Sequence, residues 1–171
     1  MINFSMACRG VFFALTAAER ERLLAYETDR ERLGYVLEEI EQAWDEKHLL
    51  QTDKAWDAIH RCLTDGTLII GPDPKPLGKV ILGGRQLYSN TERFIINLIE
   101  ADVVPEVAVA LKAVTEEWMR NRYDRLRDTD YPQDFVSDQD WQYTWDWFSG
   151  IPDFFAHAAE EHRSVIFTVD Q

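Results

Sequence analysis

Basic residues are scarce: 18 lysines and arginines face 31 aspartates and glutamates, for a net charge of −13 over 171 residues. That balance argues against nucleic-acid binding, where neutralising phosphates with Lys and Arg supplies much of the affinity. Anionic membrane surfaces are disfavoured for the same reason. Cysteine is nearly absent. Cys8 and Cys62 are far apart and belong to no disulfide framework, so they read as reduced, buried thiols of a cytosolic protein. No stretch approaches the roughly 18 consecutive apolar residues of a membrane span. Residues 1–13 have an apolar tint but a single base, Arg9, and lack the layering of a signal peptide. The expectation is a bacterial-type cytoplasmic protein.

Catalytic signatures are missing too. There is no HExxH, GxSxG or SxxK, and His157 and His162 sit five apart, off the spacing that places two ligands on one helical face. Gly71…Gly78-Lys79 resembles a phosphate-binding loop only superficially. Six residues separate its glycines, Val80 supplies no hydroxyl for magnesium, and three prolines remove amides that would cradle phosphate. Cys62 and His60 lie two apart and point to different helical faces, so they do not form a nucleophile–base pair. The sequence gives no reason to expect catalytic residues, a cofactor or a metal, and the reading leans away from an enzyme.

What is present describes a folded domain. A composition of 46% hydrophobic, 12% aromatic and 29% charged residues is globular, and a chain this long buries roughly 70% of its unfolded surface without a staple. Residues 8–15 read as a first strand. Thr16 and Glu19, then Thr28 and Glu31, have capping-box spacing and open two helices. In the second, Leu33, Val36, Leu37, Ile40 and Trp44 recur at steps of three and four. Thr52-Asp53 reads as the cap of a helix from Lys54 to about Leu63, with Trp56, Ile59, His60 and Leu63 on one face. Gly66 stops it. Residues 71–78 form a proline-rich loop, 79–82 a strand leading to a Gly83-Gly84 turn, and 93–100 a further strand. Asp102 is placed to cap a helix carrying Pro105 in its first turn. Thr115 to Trp118 restarts or continues it to about Leu126. Residues 128–140 read as loop, 139–148 as helix, 153–162 as a last helix after Pro152, and 164–169 as a closing strand. Strands so scattered point to a single α+β domain over residues 1–171, with a small mixed or antiparallel sheet flanked by helices.

The most distinctive segment is 128–153. It has seven aspartates, no Lys, Arg or His, and interleaved aromatics. Aromatics at the centre of a patch with charge around the rim are typical of protein-binding surfaces, and a negative field would steer a basic partner in. Asp128, Asp130, Tyr131, Asp134, Phe135, Asp138, Asp140, Trp141 and Trp145 are the residues implicated. A core reading stands beside this one, because Trp141, Trp145 and Phe148 also fall at helical spacing.

Four stretches resemble the YfbM-like family of small bacterial proteins, a domain of unknown function: GVFFALTAAERERLL (10–24), DKAWDAIHRCLTDG (53–66), PLGKVILGGRQL (76–87) and WFSGIPDFFAHAAEEHRSVIFTV (147–169). The resemblance implies a compact α+β domain and marks Asp53, Lys54, Trp56, His60, Gly83 and Gly84 as family-pattern positions rather than an active site. RFIINLIE (93–100) departs from the family, where a Gly-rich, Tyr- or Pro-containing segment is expected. The leading functional expectation is a non-enzymatic acidic protein-binding domain, of an inhibitor or immunity type, covering a basic partner surface. The alternative is a small-molecule-binding domain or enzyme with a site near Trp56, His60 and the 71–84 loop. A homo-oligomer using the aromatic strip is a third reading.

Overall fold

Residues 8–170 are described by a computed structural model; the reading of residues 1–7 lies outside them. The described strands form one five-stranded antiparallel sheet in the order β2-β1-β5-β4-β3, built from β1 (Gly10–Leu15), β2 (Leu49–Asp53), β3 (Arg85–Gln86), β4 (Phe94–Ile99) and β5 (Ser164–Asp170). Helices cover both faces. Phe12, Ala14, Ile95, Ile99, Val165, Phe167 and Val169 point into the larger core, shared with α3 (Trp56–Leu63), α5 (Val104–Lys112), α6 (Glu116–Asp124), α7 (Asp138–Phe148) and α8 (Ile151–Glu160). Phe13, Leu15, Phe94, Ile96, Leu98 and Ile166 face a smaller core under α1 (Ala17–Ala25) and α2 (Asp29–Tyr35). Burial on both faces is why 94–99 and 164–169 are nearly continuous apolar runs rather than alternating ones. This is a single α+β domain, as the scattered strands imply.

Local signals hold where the partners are three residues apart. Thr16 and Glu19 form a reciprocal capping box (2.7 and 3.2 Å), Thr28 and Glu31 a second (3.1 and 3.3 Å). The Thr115 hydroxyl accepts from the Trp118 amide at 3.1 Å and so restarts the chain as α6. Gly66 has φ +96°, a conformation that glycine adopts without steric cost.

Four expectations are corrected and one strand is added. Residues 79–82 are not a strand. Pro76 opens a single helical turn, α4 (Pro76–Lys79), and Val80, Ile81 and Leu82 continue from it as a buried turn. A short apolar run does not distinguish a strand from other core segments. Conversely, β2, with the sequence LLQTD, is a strand that lacks a β-forming composition; it is made by pairing at the sheet edge. Thr52 and Asp53 do not cap α3: the Thr52 hydroxyl donates to the Gly10 carbonyl (3.0 Å), Asp53 is left-handed (φ +47°), and Ala55 stands at the helix start. They sit at a β-bulge, where Gly10 pairs with Asp53 and Val11 with Gln51. Asp102 does not cap α5, whose first residue comes after Val103. Finally, α2 passes into wider π turns over Val36–Glu41. Trp44 lies past the end of the helix with a left-handed backbone (φ +42°) and is 38% exposed, off the apolar stripe, with Leu37 at the surface as well.

Candidate functional site

Helix α3 carries a cleft at each end. Its N-terminal end meets the chain that returns from α6 into α7. There Cys8, Lys54, Trp56, Asp57, Tyr131, Pro132, Phe135, Asp140 and Tyr143 line a cleft of about 300 Å³. At its C-terminal end, His60, Leu63, Thr64 and Asp65 meet the 71–84 loop and Arg122 around a cleft of about 360 Å³. Trp56 and His60, expected to share one site, therefore line different clefts.

The first cleft is aromatic, with carboxylates held by hydrogen bonds. The Trp56 indole N–H donates to the Cys8 carbonyl at 3.0 Å. Ser137 caps α7 through the Asp140 amide at 3.1 Å, which sets the Asp140 side chain under two phenols. Tyr131 donates to Asp140 Oδ2 at 3.0 Å and Tyr123 to the same oxygen. Burial and that carboxylate push both phenols up, so they remain neutral donors. Tyr143 donates to Asp53 Oδ2 (2.8 Å) and accepts from the Lys54 amide (3.2 Å). Burial first, then the Asp53 carboxylate, pushes it up to about 12. Asp53 and Lys54 thus anchor α7 at the cleft rim. Beneath them Arg61, only 3% exposed, donates to Asp57 (2.6 Å), Asp130 (2.5 Å) and the Gly66 carbonyl (3.1 Å). Burial raises the Asp57 pKa against the pull of that guanidinium. Its carbon lies 5.6 Å from the centre of the Tyr131 ring.

The second cleft is built on backbone. Gly71 and Asp73 donate to the carbonyls of Leu82 (3.2 Å) and Gly83 (2.8 Å), so the proline loop folds back on itself. A Cβ on Gly83 would stand 2.2 Å from the Gly78 carbonyl oxygen, and one on Gly84 2.4 Å from that of Leu98. Close backbone approach therefore explains both family-pattern glycines. Buried Asn97 on β4 fixes the loop: it accepts from the Gly84 amide (2.7 Å) and Gln86 (2.8 Å) and donates to the Lys79 carbonyl (3.2 Å). The segment that departs from the family pattern thus carries the loop's anchor. Arg122, stacked on Trp118, donates to the carbonyls of Cys62 and Thr64 at the end of α3. His60 is 3% exposed, and its Nδ1 has no hydrogen-bond partner among the described residues. Burial lowers its pKa from 6.5 to about 4, against a hydrogen bond to the Ile69 backbone that pulls the other way. The ring is neutral at pH 7. Burial also pushes Cys62 up to about 12 and raises Cys8, so both buried cysteines stay thiols rather than nucleophilic thiolates. No group of three or more His, Cys, Asp or Glu among the described residues could hold a metal.

Of the residues drawn from the acidic segment, Asp128, Asp130, Asp134, Asp138 and Phe135 are exposed, Asp140 and Trp145 half-buried, and Tyr131 and Trp141 buried. Trp141 lies under Arg120 (5.4 Å) and stacks on Trp145 (5.8 Å). The segment lacks bases only along the chain: Arg61 and Arg120 reach in from α3 and α6 to pair with Asp130 and Asp138. Asp57 and Tyr143 line the first cleft and Arg61 lies behind it, and none of the three was among the site residues drawn from the sequence. The four-residue spacing of Asp57 and Arg61 was a visible signal; the 90-residue link from Asp53 to Tyr143 was not.

No helix among the described residues is long and apolar enough to cross a membrane. No curated protein matches the chain. Among solved structures it is similar to YfbM from Escherichia coli, a protein of unknown function, with a TM-score of 0.67 and 14% identity over 94% of this chain and 99% of that one. At that identity the likeness speaks for the fold. A family model described as a domain of unknown function (DUF1877) matches residues 6–168, and the chain belongs to that family.

Proposed function

We propose that this chain is a non-enzymatic binding domain, of an inhibitor or immunity type, that covers a basic surface of a partner protein. The observation that carries the reading is Phe135. It is 57% exposed at the tip of the loop entering α7, and exposed Asp128, Asp130, Asp134 and Asp138 flank it in the chain. A large apolar ring held out in water among carboxylates suits a contact with an apolar centre and charged rim. The net charge of −13 favours fast, salt-sensitive association with a cationic surface. Burial of Tyr131 and Trp141 narrows the face to this loop and the outer side of α7. The test is affinity capture from the native host at low and high salt with the wild type, Phe135→Ala and an Asp134→Asn/Asp138→Asn variant. The reading requires a protein retained by the wild type at low salt and lost with both variants. Retention that ignores both variants sinks it.

A second reading has its own observation. The unpartnered Nδ1 of buried His60, at the wall of the 71–84 cleft, suits a small ligand that supplies its hydrogen-bond partner. A compound that raises the melting temperature of the wild type but not of His60→Phe would support it; a panel of polar metabolites with no such compound counts against it.

A further inference from the structure

We infer that the cleft at the N-terminal end of α3 receives an alkylammonium group, and that Phe135 is its outer wall. Four aromatic side chains line it: Trp56, Tyr131, Tyr143 and Phe135. Aromatic faces carry negative electrostatic potential and hold ammonium and guanidinium groups by cation–π attraction, most strongly when water is excluded. Two carboxylates, Asp57 and Asp140, stand in the same wall. Asp140 spends one oxygen on two phenol donors and Asp57 one on Arg61, so neither is fully occupied by the bonds described. The guanidinium beside Tyr131, that of Arg61, is matched by its own ion pairs to Asp57 and Asp130.

The charged groups at the cleft are Asp57, Asp140 and Lys54, with Arg61 behind Asp57. Lys54 is exposed, and its ammonium repels an incoming cation at the rim. Four rings and few oxygens disfavour a small hydrated metal ion, which needs several oxygen ligands. A bulky, weakly hydrated ammonium fits better, and a volume of about 300 Å³ admits a methylated amine or the end of a lysine side chain. This deepens the docking reading by naming the group a basic partner would insert, and it rests on that reading only for where the group comes from.

The probe is tetramethylammonium chloride, followed by tryptophan fluorescence and by methyl and amide NMR shifts. Sodium chloride controls for ionic strength and tert-butanol serves as a neutral analogue of similar shape. Saturable binding of the cation is expected, roughly tenfold weaker for Phe135→Ala and for Tyr143→Leu, and tighter for Lys54→Gln. No saturable response, or tert-butanol binding equally well, overturns the inference. So does unchanged affinity in Phe135→Ala, an exposed position whose substitution leaves the core intact. A lysine-rich peptide and its trimethyllysine form are then tested as competitors. Competition assigns the ammonium to a partner's side chain. Cation binding without competition assigns it to a free amine, which overturns the docking reading while keeping the cleft. Protein capture without cation binding does the reverse.

Discussion

The two ends of α3 solve different problems with similar materials. At the N-terminal end, side chains from distant parts of the chain meet, and their polar atoms are tied to one another: Tyr143 to Asp53, Tyr131 to Asp140, Arg61 to Asp57. At the C-terminal end the wall is mostly loop backbone, held by glycine contacts and Asn97, and it leaves one buried imidazole nitrogen without a partner among the described residues. A network of linked side chains shapes a cavity through long-range pairing, whereas a folded-back loop does so through backbone fit. The first tolerates rim substitutions and fails when a buried charge loses its partner. The second fails when a single methyl group is added.

The largest effect is expected from Arg61→Met. Removing this buried cation strands Asp57 and leaves the Gly66 carbonyl without its donor, at a cost of roughly 3–5 kcal/mol in urea unfolding. A loss below about 1 kcal/mol would mean that the ion pair does not organise its end of α3. Next comes the acid response of the opposite end. His60 titrates near 6.5 when unfolded and about 4 when folded. Between those values the unfolded chain therefore holds a proton that the folded chain does not. Stability contributed by the neutral ring is fully present above pH 6.5 and is lost as pH falls toward 4. The loss approaches roughly 3 kcal/mol. His60→Leu should flatten that part of the pH profile; a variant with the wild-type slope would place the acid sensitivity elsewhere.

Gly83→Ala tests the backbone fit. Its methyl group would meet the Gly78 carbonyl oxygen, so the loop must shift, at about 1–3 kcal/mol by thermal unfolding. Gly34, whose added Cβ meets nothing within 4 Å, is the control. Gly34→Ala stabilises or is neutral, since alanine favours a helix. Smallest in stability is Phe135→Ala, within about 0.5 kcal/mol because the ring is mostly exposed. Its effect is expected in binding alone, and a marked drop in melting temperature would show that the ring is structural.

Features legible in the sequence are those whose physics closes within a few residues. The capping boxes at Thr16 and Thr28, the Thr115 restart and the Gly66 stop each depend on a partner at most a turn away. The runs 94–99 and 164–169 announced strands through composition. Where two conformations bury the same residues equally well, as at Val80–Leu82, pattern alone favoured the wrong one. For the candidate site, the acidic segment and the Asp53-Lys54-x-Trp56 stretch were visible, but their meeting was not: Asp53 reaches Tyr143 across a fold.

By itself the sequence determined the α+β class and the excess of negative charge, because those come from composition, local hydrogen bonds and periodicity, and it carried the four stretches that resemble the family. Only the tertiary structure decided that LLQTD is a strand and that Trp44 faces outward. Nor could the chain alone show that Trp56 and His60 serve separate clefts, or that the acidic segment borrows Arg61 and Arg120. Apart from Trp44, which turns outward where the chain leaves its helix, these depend on pairing between groups far apart in the chain, and whether such groups meet is settled by packing rather than by their neighbours in sequence.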